Sequence, residues 1–521
     1  MTKQSFIKGT LILLAAGIVN RILGFIPRIT LPRIIGAEGV GLYQMGYPFL
    51  IVILTLITGG IPIAVAKLVA AAEAEGNEAR VRGIFRIAMA LSASLSLAFT
   101  AVILLGARWI TQLLYTDQRV YLTIVCMTPI ILIVGVSSVF RGYFQGRHNM
   151  IPTAVSQVLE TIVRIFTMLS FAYLMLPYGL EYAAAGAMVG VLIGEIAAMA
   201  VLVSLYGQDR HRLARRKPAK TGGAGRLAYG GGLKQLLGLA LPVTGSKLVG
   251  SFSYFFEAIL VVQSLAAAGI ATGLATAQYG ALQGMVIPVL LLPGALTYSL
   301  AVSLVPSLSE AAAKNDLKTI HARLHQSLKL ALVTGAPFAV LMFVLAEPIC
   351  RYLYGQPGVG SMLRMLAPAA MFIYLQAPLQ AALQALERPG SALVNTLAGS
   401  CVKLTLIWLL ASRPEFGILG AVMAISVNIM LVTVLHWTSI VRLLQFHMQL
   451  SDFAKVGLCM AGTGIMSRLL ISNVWIDSDW VRFATSCVGG MAVYLALALL
   501  FKLFDKNDLF RLLWLGKSLV K

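Results

Sequence analysis

Residues 17–36 read GIVNRILGFIPRITLPRIIG, an apolar stretch interrupted by Arg21, Arg28 and Arg33. About twenty apolar residues suffice to cross a bilayer as a helix. An arginine at the centre of such a helix costs roughly 2.5–3.5 kcal/mol on insertion scales. Three of them are tolerated only where they meet a polar cavity, a partner or an anion, or where the side chain reaches the interface. At 100° per residue, Arg21 and Arg28 fall within about 20° of one helix face and about 10 Å apart along the axis. Arg33 follows Pro27 and Pro32, which kink or unwind a helix, and sits near the segment's end, where it can snorkel.

The rest of the chain agrees with a membrane reading. Of 521 residues, 59% are hydrophobic and 12% charged, with a mean hydropathy of +0.85. This composition predicts an all-α polytopic membrane protein. The net charge of +21 is then a topology signal, positive residues gathering in cytoplasmic loops, and nothing points to nucleic acid. Cys126, Cys350, Cys401, Cys459 and Cys487 are scattered and form neither a disulfide framework nor a CxxC site. Lys3 and Lys8 precede the first apolar run as in a signal peptide. The run is long, carries arginines and lacks a small-residue cleavage site, so it is expected to be retained.

Apolar windows predict fourteen helices near 9–35, 42–72, 82–105, 118–145, 152–176, 183–206, 234–266, 273–305, 322–346, 361–386, 390–411, 417–443, 452–472 and 480–504. With the N-terminus inside, 27 of the 41 Lys and Arg residues fall in cytoplasmic segments and 5 outside. The other nine, Arg21, Arg28, Arg33, Lys67, Arg164, Lys247, Arg364, Lys403 and Arg468, are assigned to spans. This bias predicts both termini in the cytoplasm. The basic, Gly-rich segment 207–233 reads as a flexible cytoplasmic linker that also attracts anionic headgroups.

The two sides of that linker are related. In FQGRHNMIPTAVSQVLETIVR (144–164) and LQALERPGSALVNTLAGSCVK (383–403), Gln145 and Gln384 stand at equal spacing before Arg164 and Lys403. Ala64, Val65, Glu73 and Arg86 match Ala301, Val302, Glu310 and Arg323 at one constant offset. Parallel repeats of this kind predict two six-helix lobes, 1–206 and 234–443, about a pseudo-twofold along the membrane normal, with a site between the halves. Residues 444–521 add two helices and a cytoplasmic tail. Arg164 and Lys403, with Gln145 and Gln384, are the expected pseudo-symmetric supports.

Energy-coupling and catalytic motifs are missing. Gly516–Ser518 reads GKS, but Arg511 stands where a Walker A motif needs glycine, and no cofactor motif occurs. His321 and His325 share a helix face at i, i+4 but lack a Glu partner, so no metal site is assigned. No Ser–His–Asp or Cys–His set is discernible, and the chain is not expected to be an enzyme. Acidic residues are scarce in the spans: Glu160, Glu195 and Glu257. Glu160 and Arg164 stand at i, i+4 and are expected to pair. Glu257 is expected to partner Lys247 or a first-helix arginine. The excess positive charge predicts an anionic cargo held by Arg21, Arg28, Arg33, Lys67 and Lys247.

Four stretches carry a family resemblance: NRILGFIPRITLPRIIGAEGVGLYQ (20–44), TGGIPIAVAKLVAAAEA (58–74), FRGYFQGRHNMIPTAVSQVLE (140–160) and LVPSLSEA (304–311). Together they resemble the MOP flippase superfamily, in its polysaccharide-biosynthesis branch with the stage V sporulation B proteins, similar also to the lipid II flippases. The resemblance implies fourteen helices in two lobes, alternating access, and an undecaprenyl-pyrophosphate-linked saccharide as cargo. Membrane lipids and cell-wall synthesis proteins are the partners it implies, and Arg21 and Arg28 match first-helix arginines facing the cavity. The chain departs from lipid II flippases in helix eight, where a charged pair is replaced by the neutral YGALQGMVIP (279–288). Two rival functions are a MATE-type cation-coupled multidrug exporter and a non-transporting scaffold of an envelope-synthesis complex. The exporter would need carboxylates that the spans scarcely supply.

Overall fold

The computed structural model describes residues 6–215, 229–472 and 478–503. Residues 216–228 of the basic linker, the GKS tripeptide and most of the C-terminal tail lie outside the described residues. Those described form helices and turns, with no strand among them. Thirteen helical segments are long and apolar enough to cross a membrane. The first runs over 60 residues, Ala15–Ala74, about 90 Å if straight, three times a bilayer's ~30 Å core.

Gly36 resolves the excess length. It lies inside α2 (Phe25–Thr58) with φ 68° and ψ −179°, a backbone conformation that glycine reaches without a Cβ penalty. The charge of Arg28 reaches Tyr47 as well as Tyr43. On a straight helix Arg28 and Tyr47 would stand about 28 Å apart, beyond the reach of both side chains. The chain therefore turns back at Gly36, and the long segment holds the first two crossings. A further break at Gly59–Gly60 separates α2 from α3 (Ile61–Ala74).

The chain packs as two compact units. Residues 1–284 with 411–418 form the first, and 285–410 with 419–521 the second. The first unit holds α1 (Phe6–Leu23), α2, α3, α4 (Glu78–Leu114), α5 (Val120–Gly146), α6 (Ile151–Met175), α7 (Leu180–Arg215), α8 (Tyr229–Ala267) and α9 (Thr272–Ala281). Lipid tails are as apolar as leucine, so these helices associate through close packing and hydrogen bonds. On α7, Gly186, Gly190 and Gly194 recur every fourth residue against α6. A Cβ on Gly190 would stand 2.3 Å from the Met168 backbone. At one end of the unit Phe85, Phe140, Tyr143 and Tyr206 pack ring on ring at centroid separations of 4.7–5.3 Å. There α7 continues helical to Arg215, past the expected linker boundary, and Tyr143 Oη donates to Asp209 at 3.0 Å.

The second unit holds α10 (Ile287–Leu291), α11 (Gly294–Ala313), α12 (Leu317–Val344), α13 (Ala346–Tyr354), α14 (Gly360–Ala385), α15 (Pro389–Ala411), α16 (Gly417–Leu444), α17 (Leu450–Ile471) and α18 (Asp479–Leu500). Leu308, Leu324, Leu328, Leu379 and Tyr494 are buried in one core. The last two helices pack into it, and Tyr494 Oη donates to the Val333 carbonyl at 2.7 Å.

Candidate substrate-binding site

Arg21 closes α1, while Arg28 and Arg33 stand on the first arm of α2, and all three are exposed. Arg28 stands near enough to act electrostatically on Tyr43, Tyr47 and Tyr254. The break at Gly36 lies between Arg28 and the two α2 tyrosines and brings the arms of α2 within that range. The two rings stack at 6.0 Å and 17°.

Beside them lies a charged cluster from three helices. Arg141 on α5 donates to Glu160 on α6 at 3.0 Å and stands 3.8 Å from Glu195 on α7. Arg164 approaches the other oxygen of Glu160 at 3.2 Å. Glu160 and Glu195 are buried, so the two guanidinium groups offset carboxylates that lipid would otherwise exclude. The charge of Arg164 also reaches Tyr43 and Tyr47. These two tyrosines are therefore flanked by Arg28 and Arg164. Counting charges by span missed Arg141, which sits close to the end of its helix.

Lys247 on α8 has a defined partner. Ending a helix at Gly59 leaves carbonyls without intrahelical donors, and Lys247 Nζ donates to the Gly59 carbonyl at 2.7 Å. A cation is favoured there by the negative end of the helix dipole. Glu257 on α8 is buried and accepts a hydrogen bond from the Gln283 amide. Lys67 is exposed on α3. Gln145 is half-buried on α5, near that helix's C-terminal end. In the second unit Lys403 is buried on α15 and Gln384 is exposed on α14. His321 contacts the Leu444 carbonyl at 2.9 Å, and His325 lies 3.2 Å from Asp452. Among the described residues no group of three or more His, Cys, Asp or Glu is placed to hold a metal ion.

A second polar group forms around the α4–α5 connection. Arg119 binds Asp117 and Glu38, each at 2.7 Å, and Thr276 Oγ1 donates to Asp117 at 2.8 Å. Burial by itself pushes the Asp117 carboxyl up. Hydrogen bonds from Arg119 and Thr276, with the Arg119 charge, outweigh it and hold the group below its ordinary value. Glu38 follows the Gly36 turn closely, so this group ties that turn to α9.

Residues 6–312 match a family model described as polysaccharide biosynthesis protein, and residues 253–409 match one described as MatE. The chain is 39% identical to stage V sporulation protein B of Bacillus subtilis (strain 168) over 522 residues, covering 100% of both. A solved structure of the lipid II flippase MurJ, in an inward closed conformation, superposes with a TM-score of 0.71 at 16% identity, covering 94% of this chain and 98% of that one. An inward-facing multidrug resistance MATE family transporter of the MOP superfamily gives 0.63 at 14% identity, covering 82% and 94%.

Proposed function

The chain belongs to the polysaccharide biosynthesis protein family of the MOP superfamily, a multi-pass membrane transporter and not an enzyme, and from that premise we propose that it carries an undecaprenyl-pyrophosphate-linked saccharide across a bacterial plasma membrane by alternating access. The observation that supports this most is Arg28, exposed and within electrostatic reach of Tyr43, with Arg21 also exposed at the end of the preceding helix. A guanidinium offers two parallel donors to a phosphate, and charge-assisted bonds of this kind are the strong ones.

With both termini in the cytoplasm, the pyrophosphate moves outward while the isoprenoid tail stays in lipid. A cell interior at negative potential favours that movement by about 2.3 kcal/mol per charge per 100 mV. A cationic drug as cargo fits less well. Glu160 and Glu195 already face Arg141 and Arg164, and Glu257 accepts from an amide.

The test is a flipping or complementation assay read beside membrane abundance. A hydrogen bond to a charged group contributes about 1.5–3 kcal/mol, and each 1.4 kcal/mol is roughly tenfold. Arg21→Ala with Arg28→Ala should thus lower transport by about 100-fold or more, with the protein still inserted. Lysine at either position should restore part of the activity, since it keeps the charge but not the fork. Full transport by the double alanine variant refutes the anion site.

A further inference from the structure

Next to Arg28 the first unit gathers side chains that a pyrophosphate does not need. Tyr43, Gln44 and Tyr47 lie on α2, Tyr254 and Glu257 on α8, and Tyr279 and Gln283 on α9 and the π-helical turn after it, Leu282–Val286. Tyr43, Gln44, Tyr47 and Tyr254 are half-buried, Glu257 and Gln283 nearly closed off. We propose that this group is the binding site for the first sugar of the carried lipid, with Arg28 on the adjoining phosphate. The proposal rests on the flippase reading above and deepens it.

Four observations carry it. First, a pyranose has a C–H face that packs on aromatic rings, and the stacked pair Tyr43–Tyr47 supplies a continuous aromatic surface. Second, sugar hydroxyls need donors and acceptors side by side, which amides and a carboxylate provide. Gln44, Gln283 and Glu257 take part in two hydrogen-bonded pairs: Tyr254 Oη donates to Gln44 Oε1, and Gln283 Nε2 to Glu257. Third, capacity stays open at Gln44, Tyr279 and Gln278. The Tyr254–Gln44 bond is 3.5 Å long, at the limit of a hydrogen bond. The Tyr279 hydroxyl is fully buried with no hydrogen-bond partner among the described residues, as is the Gln278 carbonyl oxygen. An orphaned buried hydroxyl costs about 1–3 kcal/mol, which a ligand hydroxyl can offset. Fourth, Gln283 lies on a π-helical turn, a geometry frequent at functional sites, and Glu257 is an acid within a membrane helix.

Charge orders the substrate along this surface. Arg28 makes one end positive and Glu257 makes the other negative. A second phosphate is repelled at the Glu257 end, whereas an uncharged polyhydroxyl group is not. The sequence AQYGALQG (277–284) shows how the parts meet. Gly280 and Gly41 let α9 and α2 touch backbone to backbone, a Cβ on Gly280 falling 2.1 Å from the Ala37 carbonyl oxygen. At that separation the helices bring Gln283 level with Gln44.

The experiment measures binding by purified full-length protein to two probes: undecaprenyl pyrophosphate, and the same lipid bearing a single N-acetylglucosamine. Wild type should bind the glycosylated lipid about tenfold more tightly. Gln283→Ala and Tyr47→Leu should lose that increment while binding bare undecaprenyl pyrophosphate as wild type does. Tyr47→Phe, which keeps the ring, should retain most of it. Arg28→Ala should weaken both probes. Equal binding of both lipids by wild type overturns the sugar site and leaves the flippase reading standing, whereas no binding of either overturns both. Parallel loss of both probes in Gln283→Ala and Tyr47→Leu, or no loss in either, also overturns the proposal. Thermal unfolding of each variant identifies a folding defect, and Tyr47→Phe then decides the outcome.

Discussion

Asp117 shows how one side chain outside the spans can tie several elements together. It is nearly closed off from solvent, and its carboxylate is held by Arg119 and by Thr276, 159 residues away. Its folded pKa is depressed, so its contribution is fully present above the unfolded value near 3.9 and lost as pH falls through the folded one. Asp117→Asn should lower stability by about 1–2 kcal/mol at neutral pH, a modest figure because Arg119 is partly exposed and screened. The gap in melting temperature between wild type and variant should be constant above about pH 5 and close as pH drops below 4. A gap that does not depend on pH removes the charge interaction from the account. The residue scale also shows a limit of charge counting. Arg141 lies near the end of a span, yet its side chain reaches Glu160 and Glu195. Position along a helix does not report where a long side chain ends.

Among elements, α7 is held by absence of side chains. Gly190 meets the backbone of Met168, which has no flexible end to give way. Gly190→Leu should force α7 off α6, part Glu195 from Arg141, and cost upward of 2 kcal/mol or remove the protein from the membrane. Gly207 on the same helix has nothing within 4 Å of an added Cβ. Gly207→Ala should be neutral or gain up to about 1 kcal/mol from helix propensity. Comparable abundance and melting temperature for the two variants would show that the α6–α7 approach is not tight. The fourfold glycine spacing GAMVGVLIG (186–194) is a small-residue helix-packing pattern, and the structure supplies the face it meets, α6. The Gly59–Gly60 break falls inside the single helix 42–72 that hydropathy predicts, and only folding brings Lys247 from α8 to cover the freed carbonyl.

At the scale of the whole molecule, the charge bias predicts the orientation. In a cysteine-free background, cysteine placed at Glu75 should label only from the cytoplasm and cysteine at Pro414 only from outside. Labelling of both from one side contradicts the odd number of crossings that the predicted helices place between these two positions. Hydropathy alone determined that this chain is helical and crosses a membrane many times, because lipid requires each crossing to satisfy its own backbone over about twenty apolar residues. The same local rule placed Arg21 and Arg28 on one face by period alone. Tertiary structure decided the rest. Tyrosine and glutamine carry no signal in a hydropathy profile, so Tyr43, Tyr47, Tyr254 and Gln283 became a candidate site only when α2, α8 and α9 were packed. Within the 60-residue apolar run, the sequence already separates helices near 9–35 and 42–72, and the structure supplies the means, a single positive φ at Gly36. Contacts between helices in lipid arise from shape and hydrogen bonding between segments distant in sequence, with no hydrophobic force to write them into composition. That is why the membrane class was legible residue by residue, and the neighbours of Arg28 were not.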